Sequence, residues 1–274
     1  MTLFAQPGIS TDFIQQLARR LAVTPQELTV LGEIISAAKP IRRRQDIVTE
    51  GRQSRRIFIV VDGLLICYRI MRDGQRQVVN VIVPGDVAGF PSCFFDSALY
   101  SIRTLTNSVV ATLSLNAVSA LFASQPQLAG KLFWLFSSDA AVCAEHVVVV
   151  GRRSARERIA HFFLELLTRL QPVGMADETS FEMPFSQDVI CDALGLSLAY
   201  VNRELRVLTN EGLVAIDGRK VIIKDLEGLS DLADFEQRYL KPSPAGEFFA
   251  SIPQPWQTAN VSNGAAPQRR FASL

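Results

Sequence analysis

Cysteine and histidine are scarce in this 274-residue chain, and neither is clustered. The four cysteines (Cys67, Cys93, Cys143, Cys191) form no C-x-x-C pair, which argues against a disulfide framework and a cysteine-rich metal site. There is no paired His-Glu metal motif, no glycine-rich phosphate loop and no nucleophile elbow, so an enzyme is not expected. Excess charge is missing too. With 28 basic and 27 acidic side chains the net charge is +1, which gives no general attraction to nucleic acid. Any DNA contact has to come from local placement of a few basic groups. No apolar run reaches the roughly 18 residues of a spanning helix, and the N-terminus lacks a basic-then-apolar signal. A cytoplasmic protein without membrane contact is therefore expected. At 48% hydrophobic the composition is globular, and the length suffices for two modest domains.

The sharpest pattern lies in residues 185–224. Ser186 is a good helix N-cap, able to accept from a free backbone N–H. Val189, Ile190, Ala193 and Leu194 then recur on one helical face, and Gly195 stops the helix by turning left-handed. Ser197 caps a second helix with Val201, Leu205 and Leu208 facing inward and Ala199, Tyr200, Asn202, Arg203 and Arg206 outward. Gly212 ends it, and Asp217-Gly218 reads as a two-residue hairpin with Arg219 and Lys220 at its tip. The layout is that of a winged helix-turn-helix, whose second helix enters the major groove of double-stranded DNA. Arginine forks onto guanine and asparagine onto adenine, and Asn202 and Arg203 are adjacent. Ser186, Gln187, Arg219 and Lys220 are the expected phosphate contacts. A winged helix that docks a protein partner, on a ligand- or redox-sensing module, is the alternative reading.

Upstream, residues 1–40 read as helical, and residues 41–115 as short strands with turns at Asp62-Gly63, Asp73-Gly74, Pro84-Gly85-Asp86 and Asn107-Ser108. Many short strands with glycine-bearing turns predict a β-roll or jelly-roll. Asn116 is the expected cap of a short helix. Gln125-Pro126 then opens a long helix to about Val150 with two apolar stripes. Leu128, Leu132, Leu135, Val142, His146 and Val149 form one, and Ala129, Phe133, Phe136, Ala140, Cys143, Val147 and Val150 the other. One stripe can cover the barrel; the other needs a second chain, as in a parallel coiled coil. The first is assigned to the dimer seam. The expected domains are a helical extension (1–27), a β-roll (28–124), a dimerisation helix (125–150), a winged helix-turn-helix (151–240) and a disordered tail (241–274). The fold class is α+β.

Three stretches, DGLLICYRI…VPGDVAGF from Asp62, GRRSARERIAHFFLELL from Gly151 and LGLSLAYVNRELRVLTNEGLV from Leu194, give this order of parts a family resemblance. The chain resembles the cyclic-AMP receptor protein/FNR (Crp-Fnr) family of bacterial transcription regulators over roughly residues 28–229. The resemblance implies a cyclic-nucleotide-binding-like roll, a homodimer on a pseudo-palindromic DNA site, and contact with RNA polymerase.

Departures from the family pattern carry their own expectations. Members that bind cyclic AMP have a Gly-Glu-Leu turn and, some ten residues on, an Arg-Ser pair. Here the turn is Gly89-Phe90-Pro91, and the pair falls at Ala98-Leu99. Phenylalanine accepts no ribose hydrogen bond and no arginine is aligned with the phosphate, so a degraded pocket is expected. Oxygen-sensing members hold an iron–sulfur cluster with N-terminal cysteines, whereas this chain has none before Cys67. No cofactor is expected. Cys143 and Cys191 are candidate thiol switches, but inert apolar packing is the expected role of both. In the reading helix, Ala199 replaces a frequent glutamate, Arg203 keeps the arginine and Asn202 replaces a small residue. A half-site differing from the common one is the expected consequence.

Overall fold

The structure is a computed structural model that describes residues 11–240. The expected tail at 241–274 lies outside the described residues. Two helices lead in, α1 (Thr11–Arg20) and α2 (Pro25–Ser36). Thr24 caps α2 through a capping box: its hydroxyl accepts from Glu27 N at 3.3 Å, and the Glu27 carboxylate accepts from Thr24 N at 2.7 Å. The 27/28 boundary read from sequence thus falls inside α2.

Eight strands follow: β1 (Lys39–Ile41), β2 (Asp46–Val48), β3 (Arg56–Asp62), β4 (Leu65–Ile70), β5 (Arg76–Ile82), β6 (Val87–Ala88), β7 (Ser101–Thr104) and β8 (Ser108–Ser114). They form two antiparallel sheets, ordered β1-β8-β3-β6 and β2-β7-β4-β5. The unbroken apolar run of β3 has a simple cause. Phe58 and Val60 point between the sheets, while Ile57, Ile59 and Val61 point out beneath the helices, so both faces are buried. Asp62-Gly63 is not a hairpin, because β3 and β4 belong to different sheets and the chain crosses between them. Gly63 is required at this crossing: its φ is +84°, and a Cβ would lie 2.6 Å from the Asn107 carbonyl. Asp73-Gly74 does close the β4–β5 hairpin, with Met71 N donating to Gln75 O.

A short helix, α3 (Leu115–Ser124), is capped by Ser114 and not by Asn116. The long helix α4 (Pro126–Arg152) lies across the roll. Its orientation corrects the seam assignment. Leu128, Leu132 and Leu135 join the core beneath the roll, Val142 and Val149 are buried within the same chain, and His146 bonds to it. The outward face carries Phe133, Ser137, Ala140, Ala144, Val147 and Gly151. Both stripes have the same period, and the bulkier leucines fill the roll. Among the described residues α4 is the one helix long and apolar enough by length and hydropathy to cross a membrane, contrary to the reading of the apolar runs. Its leucine stripe covers the chain's own roll instead.

Ser154, in a capping box with Glu157, starts α5 (Ala155–Leu170). Then come β9 (Ser180–Glu182), α6 (Gln187–Leu194), α7 (Leu198–Asn210), β10 (Val214–Asp217), β11 (Lys220–Ile223) and α8 (Leu226–Ala233). The strands form one sheet ordered β10-β11-β9, in which β9 was not foreseen. The last helix stops short of residue 240, because Asp234 turns left-handed (φ 45°) before a 3-10 turn, Gln237–Tyr239. Phe163, Ile190 and Leu208 of this C-terminal unit share one apolar core with Leu64, Ile66 and Val81 of the roll.

Candidate nucleic-acid interface

Helices α6 and α7 meet at Gly195, which has φ +64° and caps α6. Ser197 caps α7 by accepting from Tyr200 N at 3.3 Å. Ser186 occupies the N-cap position of α6 without making the cap bond; its hydroxyl instead donates to Asp188 Oδ2 at 3.1 Å. Val201, Leu205 and Leu208 are buried. On the other side Ser197, Ala199, Tyr200, Arg203 and Arg206 are exposed and Asn202 is half-buried, so the structure brings these six together on one surface.

Arg203 is held in place. Its guanidinium lies 4.0 Å from the centre of the Tyr200 ring, and Nε and Nη2 both donate to Glu204 Oε1, at 3.0 and 2.8 Å. Glu204 is buried and also pairs with Arg156. Nη1 of Arg203 takes no part in the Glu204 contact. Neighbouring residues in a helix do not ordinarily face each other, so this Arg–Glu bracket has no signature in the spacing.

The wing also differs in detail from expectation. Asp217 pairs with Lys220, so the turn residues are Gly218 and Arg219, with glycine at the first position as a II′ turn requires. Arg219 is exposed; Lys220 is half-buried and bonds to Asp177 at 3.3 Å. Gln187 is half-buried and Ser186 exposed, beside an arginine-lined recess of Arg43, Arg44 and Arg219. The recess was not anticipated, because Arg43 and Arg44 come from the β1–β2 turn.

At the position of the nucleotide turn, Gly89 has φ +92° and a Cβ there would stand 2.6 Å from Arg56 O. Phe90 stacks on Phe136 of α4, ring centres 4.5 Å apart, with Phe94 edge-on. Ala98 is buried, its N–H bonded to Arg52 O at 2.8 Å, and Leu99 N donates to Ser92 Oγ at 3.1 Å. The Ala98 and Leu99 backbone donors are therefore used within the protein. Arg103 grips Asp46 with two hydrogen bonds, at 2.8 and 2.6 Å.

Roll, α4 and the C-terminal unit are also joined by buried charge. His146 faces an acceptor on each ring nitrogen, Val79 O at 3.0 Å and Glu165 at 2.9 Å, an arrangement only the imidazolium fully satisfies. Burial works against that charge, but Glu165 and the Val79 carbonyl outweigh it and raise the His146 pKa. Burial likewise opposes ionisation of Glu165, yet His146 and Arg169 hold its pKa well below the usual carboxylate range. Arg169 donates to Glu165, Asn80, Val81 O and Asp86. Burial and then Asp139 push the Cys143 thiol up to about 12, and burial with Asp188 and Asp192 raises Cys191. Neither is a ready thiolate, which favours inert packing. Among the described residues no three His, Cys, Asp or Glu side chains group as metal ligands.

Comparison with known proteins agrees with this geometry. Residues 38–125 match the Cyclic nucleotide-binding domain family and residues 157–232 the Crp-like helix-turn-helix domain family. The chain is similar to the Anaerobic regulatory protein of Haemophilus influenzae, 26% identical over 219 residues, 80% of this chain and 85% of that one. It is similar to the Fumarate and nitrate reduction regulatory protein of Escherichia coli K12, 24% identical over 220 residues, 80% of this chain and 88% of that one. The solved structure of FixK2 from Bradyrhizobium japonicum has a TM-score of 0.64 at 27% identity, covering 71% of this chain and 96% of that one. A nucleotide-type roll, a long connecting helix and a winged helix-turn-helix, matched in sequence and in shape, place this chain in the Crp-Fnr family of DNA-binding transcription regulators.

Proposed function

We propose that the protein is a homodimeric, sequence-specific regulator that grips a pseudo-palindromic site with two copies of α7. The observation that carries this is Arg203, bracketed by Tyr200 and Glu204 and next to Asn202 on an exposed helix face. Preset donors lose less freedom on binding a base edge than mobile ones. Ser186, Gln187, Arg219 and Lys220 surround that face and serve the DNA backbone, which positions without specifying. The dimer forms along the outward stripe of α4, where Ser137, Ala140, Ala144 and Gly151 permit close approach and Phe133 and Val147 supply apolar area.

The nucleotide pocket is degraded in this reading. Phe90 and Phe136 stack where a ribose acceptor would be needed, and Ala98 and Leu99 offer no cation to a phosphate. With no cysteine before Cys67, the N-terminal cysteine set of an oxygen-sensing cluster is missing from the sequence. The protein acts in the cytoplasm on DNA and RNA polymerase, without catalysis. An electrophoretic shift assay on genomic fragments in excess competitor tests the reading. Retention of a small subset of fragments is expected, and failure to retain any duplex contradicts it.

A further inference from the structure

A cavity of about 270 Å³ lies where α1, the turn before β6, α4 and the end of α5 meet the Tyr239–Leu240 segment. It is separate from the Gly89–Phe90 turn and from the reading helix. Leu17, Val87, Leu135, Val142, Pro172 and Leu240 make most of its wall apolar. An apolar cavity of about 150 Å³ holds benzene, so this one has room for a ring with a short chain.

The polar groups on the wall decide what kind of molecule fits. Arg169 is matched by four acceptors, two of them the carboxylates of Glu165 and Asp86. Arg20 is tied to Asp86 at 3.6 Å and to Gly85 O at 3.3 Å. Asp139 is the exception. Among the described residues it accepts one hydrogen bond, from the neutral amide of Asn80 at 2.7 Å, and no cation pairs with it directly. Arg169 and His146 act on this carboxylate only from longer range, so its second oxygen has no direct partner among the described residues. A ligand carboxylate would instead stand against both Asp86 and Asp139.

We propose that this cavity binds a small amphipathic amine, its ring among the apolar walls and its ammonium on the free oxygen of Asp139. Burial and the nearby Asp86 hold the Asp139 pKa up, against the Asn80 hydrogen bond and the more distant charges of Arg169 and His146. The walls come from the roll, from α4 and, through Thr168 and Pro172, from the C-terminal unit. An amine held there favours the arrangement in which these walls meet, and so acts on the reading helix from a distance.

The test is calorimetric titration of the full chain with 2-phenylethylamine, 2-phenylethanol and phenylacetate at equal concentration. Saturable binding is expected for the amine alone, at least tenfold weaker in Asp139→Asn and abolished in Val142→Trp, which fills the cavity. Circular dichroism matching the parent shows that each variant is folded. Should Asp139→Asn fail to fold, Val142→Trp and the preference among the three ligands still decide. No binding by the amine at millimolar concentration overturns the proposal, as does equal or tighter binding of the acid or alcohol. These outcomes do not depend on whether the chain binds DNA.

Discussion

Two side chains show how much position decides chemistry. Arg203 sits on the exposed face of α7, bracketed by Tyr200 and Glu204. If it reads a guanine, Arg203→Ala should weaken binding to the preferred site by about ten- to a hundredfold while barely affecting random duplexes. Anisotropy titrations on both DNAs measure this; an equal loss on the two would show that Arg203 only holds phosphate. His146 has the spacing of a dimer-seam residue, yet it is a partner of buried Glu165. Its raised pKa means that its contribution is fully present below its ordinary value of 6.5 and is lost as pH rises through the folded value. Glu165 has a depressed pKa, so its share is present above its ordinary 4.5 and lost as pH falls through the folded value. Both shares are therefore complete between these two ordinary values. Comparing urea unfolding of the parent and His146→Gln, the stability gap should be widest near pH 6 and shrink toward pH 9. A gap independent of pH would mean that His146 is neutral in the folded protein.

The elements themselves were largely legible. Caps, periods and glycines located α4, α5, α6 and α7 to within a few residues, because each is specified by neighbours in the chain. What each element packs against was less so. Asp62-Gly63 has the residue types of a hairpin but serves a crossing between sheets, a difference set by Asn107 more than forty residues away. The leucine stripe of α4 could have faced a partner or the roll, and only the rotation of the helix on the roll decides. The same holds for Lys131 and Glu27, which are 104 residues apart and form a buried pair at 2.6 Å that pins α2 to α4. Lys131→Met should cost about 3–5 kcal/mol by leaving Glu27 unpaired in the core. Chemical denaturation gives the value, and a cost below about 1 kcal/mol would show that water reaches the carboxylate. On the outer face of α4, Ala144→Arg should turn the proposed dimer into a monomer without loss of helix content. Sedimentation reads the mass, and an unchanged dimer would place the seam elsewhere.

For the whole molecule, the roll, α4 and the reading head are one connected body. The head docks on β5 through Arg76 and Asp192 at 2.6 Å, and through Arg169, which reaches back to Val81 and Asp86. Under the proposed function, movement of the roll or of α4 would pass through these contacts to α7, and two chains joined along α4 would set the spacing of two reading helices. None of these cross-contacts could be read from the sequence, since each joins segments tens of residues apart. The order of the parts could, because each carries its own local pattern. The most direct test is selection of bound duplexes from a random pool at physiological salt. The account predicts a pseudo-palindrome whose half-sites are centred one helical turn, about 34 Å, apart, with a guanine in each. Enrichment of a lone, unrepeated half-site, or of nothing above background, would contradict it.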